Sequence, residues 1–180
     1  DDFVGINSVE QFIGDSAIEM GLTFEVGADT GKKVAVIGAG PAGMAAAYQL
    51  RRKGHAVTVF DENKEMGGMM YYGIPGYRIP REKLQAENQR IVDMGVELRM
   101  ETRGGKDVSV EDVEKEFDAL LWAIGCQTGR GLFLDEWEGT PNCVSGVAFL
   151  KAFNEGRMKV TADKVVCVGG GDTSIDVVSV

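Results

Sequence analysis

The fold is decided by the stretch "VAVIGAGPAGMAAAYQL", residues 34–50. A short apolar run meets Gly38, Gly40 and Gly43 and then turns into alanine-rich sequence with helical character. The G-x-G-x-x-G spacing has a mechanical basis. The first glycine permits a tight turn, the second lets a pyrophosphate approach the backbone, and the third lets helix and strand pack closely. Ala45, Ala46 and Ala47 keep the helix narrow against a sheet. The turn residues Ala39, Pro41 and Ala42 stand at the helix start, where free amides and the positive dipole end attract an anion. A second apolar run, "AVTVF", ends in Asp61 with Glu62 behind it, where the motif places the carboxylate that holds adenosine ribose hydroxyls. The spacing leaves FAD and NAD equally open.

Outward from this unit, strand-like and helix-like segments alternate. "REKLQAENQRIVDM" reads as a helix stopped by Gly95, and "VELRM" as a strand. "SVEDVEKEF" is a short capped helix, "DALLWAIG" a strand, "GVAFLKAFNEG" a helix, and "KVVCVG" one more buried strand. Residues 127–145 look irregular, and residues 62–80 form a long glycine-rich connection. Such alternation predicts an α/β fold with a parallel sheet and helices on both faces, a Rossmann-like domain. Before it, "SVEQ" at residues 8–11 reads as a capping box opening a helix closed by Gly21, with Val9, Phe12, Ile13, Ala17 and Met20 on one apolar face. The polar "EVGADTGKK" then reads as a linker. The expected divisions are a helical segment and linker over residues 1–31, a nucleotide domain over 32–130, and a connection with the beginning of a second nucleotide domain over 131–180.

Composition supports ligand-binding turns and excludes several partners. The 25 glycines are about twice the ordinary share. They cluster between apolar runs, where turns and close backbone approaches occur. A net charge of −9 argues against nucleic acid or an anionic membrane as the main partner. No apolar run approaches the roughly 18 residues that span a bilayer. Cys126, Cys143 and Cys167 show no C-x-x-C spacing. They read as buried free thiols of a reducing, cytoplasmic setting rather than as metal ligands or a disulfide-exchange pair. The single histidine, His55, reads as a solvated turn residue.

A second fingerprint follows the last apolar run. "GGGDTS" gives Gly169, Gly170, Gly171, Asp172, Thr173 and Ser174 in a G-x-G-x-x-S variant, with serine small enough for the close contact. The next strand, which carries the reader of the ribose 2′ position, does not follow within the sequence. NAD and NADP therefore stay undistinguished.

The most specific stretch is "GGMMYYGIPGYRIPREKL", residues 67–84. With "FDALLWAIG" and "VVCVGGGDTSIDVV" in the same order, it resembles the FAD/NAD(P)H oxidoreductases of the glutamate synthase small-subunit family. That family also includes the flavin half of dihydropyrimidine dehydrogenase. Met69, Met70, Tyr77, Ile79 and Arg81 stand where the family has residues alike in size or charge. The resemblance implies that the turn at residues 38–43 holds the FAD pyrophosphate and Asp61 the ribose. It places Gly67, Gly68, Met69, Met70 and Tyr72 along the ribityl chain and flavin ring, Ala123, Ile124 and Gly125 over the flavin side, and Gly104 against the adenine. By the same resemblance, Asp172 and Thr173 belong to an NADH or NADPH site. Packing is the competing reading for the paired methionines, and Arg78 and Arg81 read either as solvated or as pairing with flavin phosphate or partner acids.

The implied function is an electron-input subunit. Hydride passes between nicotinamide and flavin, and electrons pass singly to iron–sulfur clusters that a partner domain or larger oxidoreductase subunit ligates, not this chain. A cysteine-rich domain is expected before residue 8. The resemblance requires no catalytic acid, base or nucleophile, and no metal site. It also implies that residues 1–180 alone are inactive. The alternative is a structural subunit that holds FAD or an adenine nucleotide without turnover, and the missing C-x-x-C disfavours a thioredoxin-reductase-like enzyme.

Overall fold

The computed structural model describes residues 4–129, 131 and 140–180. Its centre is a four-stranded, all-parallel sheet made of β1 (Lys33–Ile37), β2 (Ala56–Phe60), β3 (Glu97–Arg99) and β4 (Ala119–Trp122). The strand order is β3-β2-β1-β4, so the first two strands of the chain occupy the middle. That position explains their uninterrupted apolar sequence, since a central parallel strand is buried on both faces.

The sheet has a core on each side. Val36, Val57 and Val59 pack with Met44 and Ala47 of α2 (Pro41–Arg52) and Ile91 of α4 (Arg81–Val92). On the opposite face Ala35, Ile37 and Phe60 meet Val113 of α5 (Val110–Glu116) and Phe117. The period-2 alternation along β1 thus divides its side chains between two helix layers. Helix α5 opens on Ser109, whose hydroxyl accepts the Asp112 amide, as the sequence predicts.

Glycine stops behave as expected. Gly21 and Gly54 have φ of 62° and 85°. Beyond each, two amides fold back onto carbonyls of the last turn: Gly21 to Ile18 and Leu22 to Ala17, then Gly54 to Arg51 and His55 to Leu50. The supposed linker is tied down rather than free, with the Gly27 amide donating to Arg51 O and Thr30 to Gly54 O. His55 is half-buried there, its Nδ1 2.7 Å from the Thr30 hydroxyl.

Several expectations require correction. Helix α1 (Ile6–Glu19) begins at a Gly5 N-cap without a side-chain bond, so Ser8 lies inside the first turn and forms no capping box. Its apolar positions Val9, Phe12, Ile13 and Met20 are exposed. Toward α4 the helix makes surface ion pairs from Asp15 and Glu19 to Lys83, with Ala17 and Ile18 half-buried. The glycine-rich connection contains a single helical turn, α3 (Met69–Tyr72).

Residues 164–169 form no strand. A strand exists by its ladder, and none of the four strands runs beside this segment, which leaves Val166 87% exposed. Cys126 and Cys143 are exposed and Cys167 half-buried, contrary to the buried reading, and all three are free. Part of the irregular stretch at 127–145 lies outside the described residues. Beyond it stand α6 (Gly146–Asn154) and α7 (Asp172–Ser179). Among the described residues, no helix is long and apolar enough to cross a membrane.

Candidate dinucleotide site

The first fingerprint lies at the carboxyl ends of β1, β2 and β4, where open α/β sheets bind ligands. Gly38 has φ of 115°, which favours glycine, and a Cβ there would overlap the Ala123 carbonyl. Its amide donates to Phe60 O at 2.7 Å, bending the chain over β2. A Cβ on Gly43 would overlap the Gly38 carbonyl oxygen, so the third glycine seats the helix against the turn. Gly40 differs. It has ordinary extended geometry (φ −78°, ψ −177°), and a Cβ would meet only Gly68 Cα at 3.7 Å. The protein's own packing therefore does not require glycine at position 40. What a side chain would fill is the open space over the α2 N-terminus. Pro41 occupies the first helical turn, where a missing N–H costs nothing.

Asp61 is buried beside this turn. Oδ2 accepts the Ala39 amide at 2.7 Å, and Oδ1 accepts both the amide (2.8 Å) and side-chain nitrogen (2.9 Å) of Asn63. Each carboxylate oxygen can accept more than one bond, so Asp61 still has capacity for a hydroxyl donor. Glu62, exposed at the rim, faces Arg103 at 3.4 Å. A Cβ on Gly104 would stand 3.1 Å from Ile37, so a glycine there lets the backbone close on the strand end.

Two adjoining chambers of about 370 Å³ each form one groove over these elements. Both share Gly38, Asp61, Asn63, Trp122, Ile124 and Gly125. One extends toward Glu62, Thr102 and Gly104. The other extends toward Gly40, Ala42, Gly68 and Met69. A groove with Asp61 common to both chambers, Glu62 at one end and a helix N-terminus at the other fits a dinucleotide with a ribose at Asp61 and a pyrophosphate at the amides. Ala123 N donates to Ile37 O at 2.8 Å, which carries the 123–125 turn across the groove wall.

The second glycine loop behaves less uniformly. Gly67 and Gly68 have φ of 117° and 53°, and a Cβ on Gly68 would sit 2.8 Å from Gly40 Cα. Gly68 and Met69 line the groove. Tyr72 is buried and lines neither chamber, its hydroxyl oxygen accepting the Glu65 amide at 2.9 Å. Burial raises the phenol above its ordinary value, which keeps it protonated and neutral. The Met70 carbonyl accepts from Arg81, whose guanidinium also donates to Ile74 O and Ile79 O and covers the Tyr71 ring at 4.9 Å. Arg81 is thus a clamp on α3 rather than a solvated side chain. Arg78 also has a partner, Asp176.

The second fingerprint repeats the backbone of the first. Gly169 has φ of 135°, and Gly171 caps α7 in the same extended geometry (φ −82°, ψ 176°). A Cβ on Gly169 would stand 2.5 Å from Ser174 Oγ, and Gly170 and Gly171 border open space. Asp172 and Thr173 form the first turn of α7. The two loops do not merge into one cavity; Thr173 and Ser174 line a separate hollow beside α6.

Sequence reasoning missed Asn63, Trp122 and Gln127, all of which line the groove. Asn63 offers a signal in its place two residues after an acid, a spacing that favours side-chain-to-backbone turns. Lys151 of α6 reaches it at 2.8 Å.

Several known proteins are similar to this chain in sequence or fold. The small chain of glutamate synthase [NADPH] from Escherichia coli (strain K12) is 35% identical over 97% of this chain and 40% of its own length. The beta subunit of NADP(+)-dependent formate dehydrogenase from Moorella thermoacetica is 42% identical over 82% of this chain and 21% of its own. The chain therefore spans less than half of these relatives. Among solved structures, 2-naphthoyl-CoA reductase superposes with a TM-score of 0.66 at 27% identity, over 85% of this chain and 22% of that one. FprA from Mycobacterium tuberculosis in complex with NADPH shares the fold, at a TM-score of 0.61 and 19% identity over 68% of this chain and 29% of that one. Residues 32–180 match the model of the pyridine nucleotide-disulphide oxidoreductases. The chain belongs to that family, and within it to the glutamate synthase small-subunit-like flavoproteins.

Proposed function

We propose that this chain carries the FAD site and the opening of the NAD(P)H site of an electron-input subunit serving a larger oxidoreductase. The observation that carries this reading is the repetition of one backbone arrangement at two helix N-termini. A positive-φ glycine is followed by an extended glycine cap, once at Gly38 and Gly40 and again at Gly169 and Gly171. Two such turns provide for two dinucleotides, which a hydride-transferring flavoprotein requires and a single-nucleotide holder does not.

The chain's own part is binding and orientation. The amides of α2 take a pyrophosphate, and Asp61 takes ribose hydroxyls while holding the Ala39 turn in place. Gly68 and Met69, facing the turn at 123–125, hold a flavin ring in the lower part of the groove. The α7 amides with Asp172 and Thr173 take the nicotinamide nucleotide, as NADH or NADPH. Bound FAD supplies a two-electron acceptor that can also release electrons singly, the chemistry needed between NAD(P)H and iron–sulfur clusters of a partner. No side chain of this chain moves a proton in that scheme. The division into a segment over residues 1–31, an FAD unit over 32–130 and an NAD(P)H unit from 131 onward belongs to the same reading. So does a cytoplasmic setting, which the three free thiols favour.

The test is anaerobic titration of the full-length protein with NADH and with NADPH, followed at the flavin absorbance near 450 nm. Bleaching by either supports the proposal. Bound flavin that neither nucleotide reduces would establish the non-catalytic holder instead.

A further inference from the structure

Outside the groove, one acid is buried on the helix that the second fingerprint opens. Asp176 of α7 is 5% exposed. A buried carboxylate is costly unless it is paired and hydrogen-bonded, and the partners of Asp176 come from the loop that follows α3. The Arg78 guanidinium lies 2.7 Å from Asp176 Oδ1, and the Tyr77 hydroxyl donates to the same oxygen at 3.1 Å. Tyr77 is itself 60% exposed, so it reaches Asp176 from the surface rather than from a packed core.

The loop is fixed at its inner end as well. Arg81 holds the Met70 and Ile74 carbonyls, and Asn154 of α6 donates to Tyr72 O at 2.9 Å. Helices α6 and α7 are close-packed: a Cβ on Gly146 would stand 3.2 Å from Thr173 Cγ2. A continuous run of contacts therefore joins the groove lip at Gly68 and Met69, through α3 and the loop, to Asp176 and the glycine cap of α7.

We propose that Tyr77 and Arg78, acting on Asp176, are positioning residues that set the separation and angle between the two dinucleotide fingerprints. The proposal rests on the two-dinucleotide reading above. Hydride transfer needs the reacting atoms about 3–3.5 Å apart, and a misplacement of about 1 Å costs on the order of 100-fold in rate. A bond between charged groups with one partner buried is directional and strong enough to hold such a joint. Neither side chain lines the groove. Their effect is on geometry, so rate and binding separate in the test.

The experiment uses the full-length flavoprotein with Asp176→Asn, Arg78→Gln and the exchange Arg78→Asp with Asp176→Arg. It measures flavin content, nucleotide affinity, flavin reduction per bound flavin in anaerobic stopped flow, and amide hydrogen exchange of residues 74–80 and 172–179. The single variants are expected to keep their flavin and bind nucleotide within about 2-fold, while reduction slows about 10- to 100-fold. Exchange should rise in both segments together, and the charge exchange should restore part of the rate. Should Asp176→Asn fail to fold, Arg78→Gln and Tyr77→Phe, at exposed positions, carry the test. Faster exchange with an unchanged reduction rate makes the contact merely structural and overturns the proposal, as does no change in either. Flavin of the unaltered protein that neither NADH nor NADPH reduces defeats the two-dinucleotide reading together with this one. Normal reduction in all variants defeats this one alone.

Discussion

Ala39 and Asp61 are joined by a 2.7 Å hydrogen bond from the Ala39 amide to Asp61 Oδ2, which ties the first glycine turn to the end of the neighbouring strand. The carboxylate read from sequence as a ribose ligand is therefore also a support for the glycine turn to which the proposed function assigns the pyrophosphate. Asp61→Ala leaves the fully buried Ala39 amide without this acceptor. A lost acceptor for one buried donor costs about 1–3 kcal/mol. Chemical denaturation should show a loss of that order together with weaker flavin retention, and Asp61→Asn, which keeps one carbonyl oxygen, should fall between. A pure ribose ligand would lose affinity without loss of apoprotein stability, and that outcome would remove the supporting role.

Arg81 should matter to the loop around α3 although it lies outside the groove. Its guanidinium serves three carbonyls, those of Met70, Ile74 and Ile79. Lysine offers a single ammonium in place of the planar fork and cannot reproduce that geometry. Arg81→Lys and Arg81→Ala are both expected to speed amide exchange across residues 69–79 and to lower stability by about 1–3 kcal/mol. Exchange unchanged in both variants would show that α3 holds its shape without the clamp.

Acid should loosen the β2–β3 edge. The Glu97 carboxylate accepts from Arg99 at 2.9 Å and from Thr58 at 2.9 Å, and these bonds, Arg99 first, hold it below the ordinary glutamate value of 4.5. A folded value below the unfolded one means the contribution is complete above pH 4.5 and is lost as pH falls through the depressed value. Thermal melts across that window should show a shallower acid limb for Glu97→Gln than for the unaltered chain. Parallel limbs would assign the acid sensitivity to other carboxylates.

The sequence makes the central sheet legible because its strands satisfy local and tertiary demands together. β1 and β2 are β-branched, bounded by glycine and acid, and buried on both faces. The tight turn at Gly38 and the close packing at Gly43 follow from glycine's missing Cβ, and both can be read without coordinates. Residues 164–169 carry the same apolar pattern, but a ladder partner is a non-local property that the pattern cannot supply. Helix α1 shows the same limit: its periodicity is real, yet periodicity does not say what covers Val9, Phe12 and Ile13. Arg78, Arg81 and Asn63 were obscure for another reason. A polar side chain's partner depends on tertiary geometry: Asp176 for Arg78 and Lys151 for Asn63 lie far along the chain, and the Met70 and Ile74 carbonyls that Arg81 reaches follow no spacing rule.

Gly40 and Gly171 offer the sharpest separation of the two fingerprints, because both accept a Cβ without steric conflict inside the protein. A methyl at position 40 makes only ordinary contact with Gly68, and one at position 171 meets nothing within 4 Å. Neither glycine has a positive φ. Alanine at either site should leave the fold intact and intrude only on a ligand pressed against the backbone. Gly40→Ala is expected to lower FAD affinity by about 10-fold or more, equivalent to about 1.4 kcal/mol, with an unchanged melting temperature for the apoprotein. Gly171→Ala should retain flavin and instead raise the NAD(P)H concentration needed to bleach it. The two effects should not cross. If Gly171→Ala releases flavin, or Gly40→Ala spares it while weakening nucleotide binding, the assignment of FAD to the first turn and nicotinamide to the second is reversed.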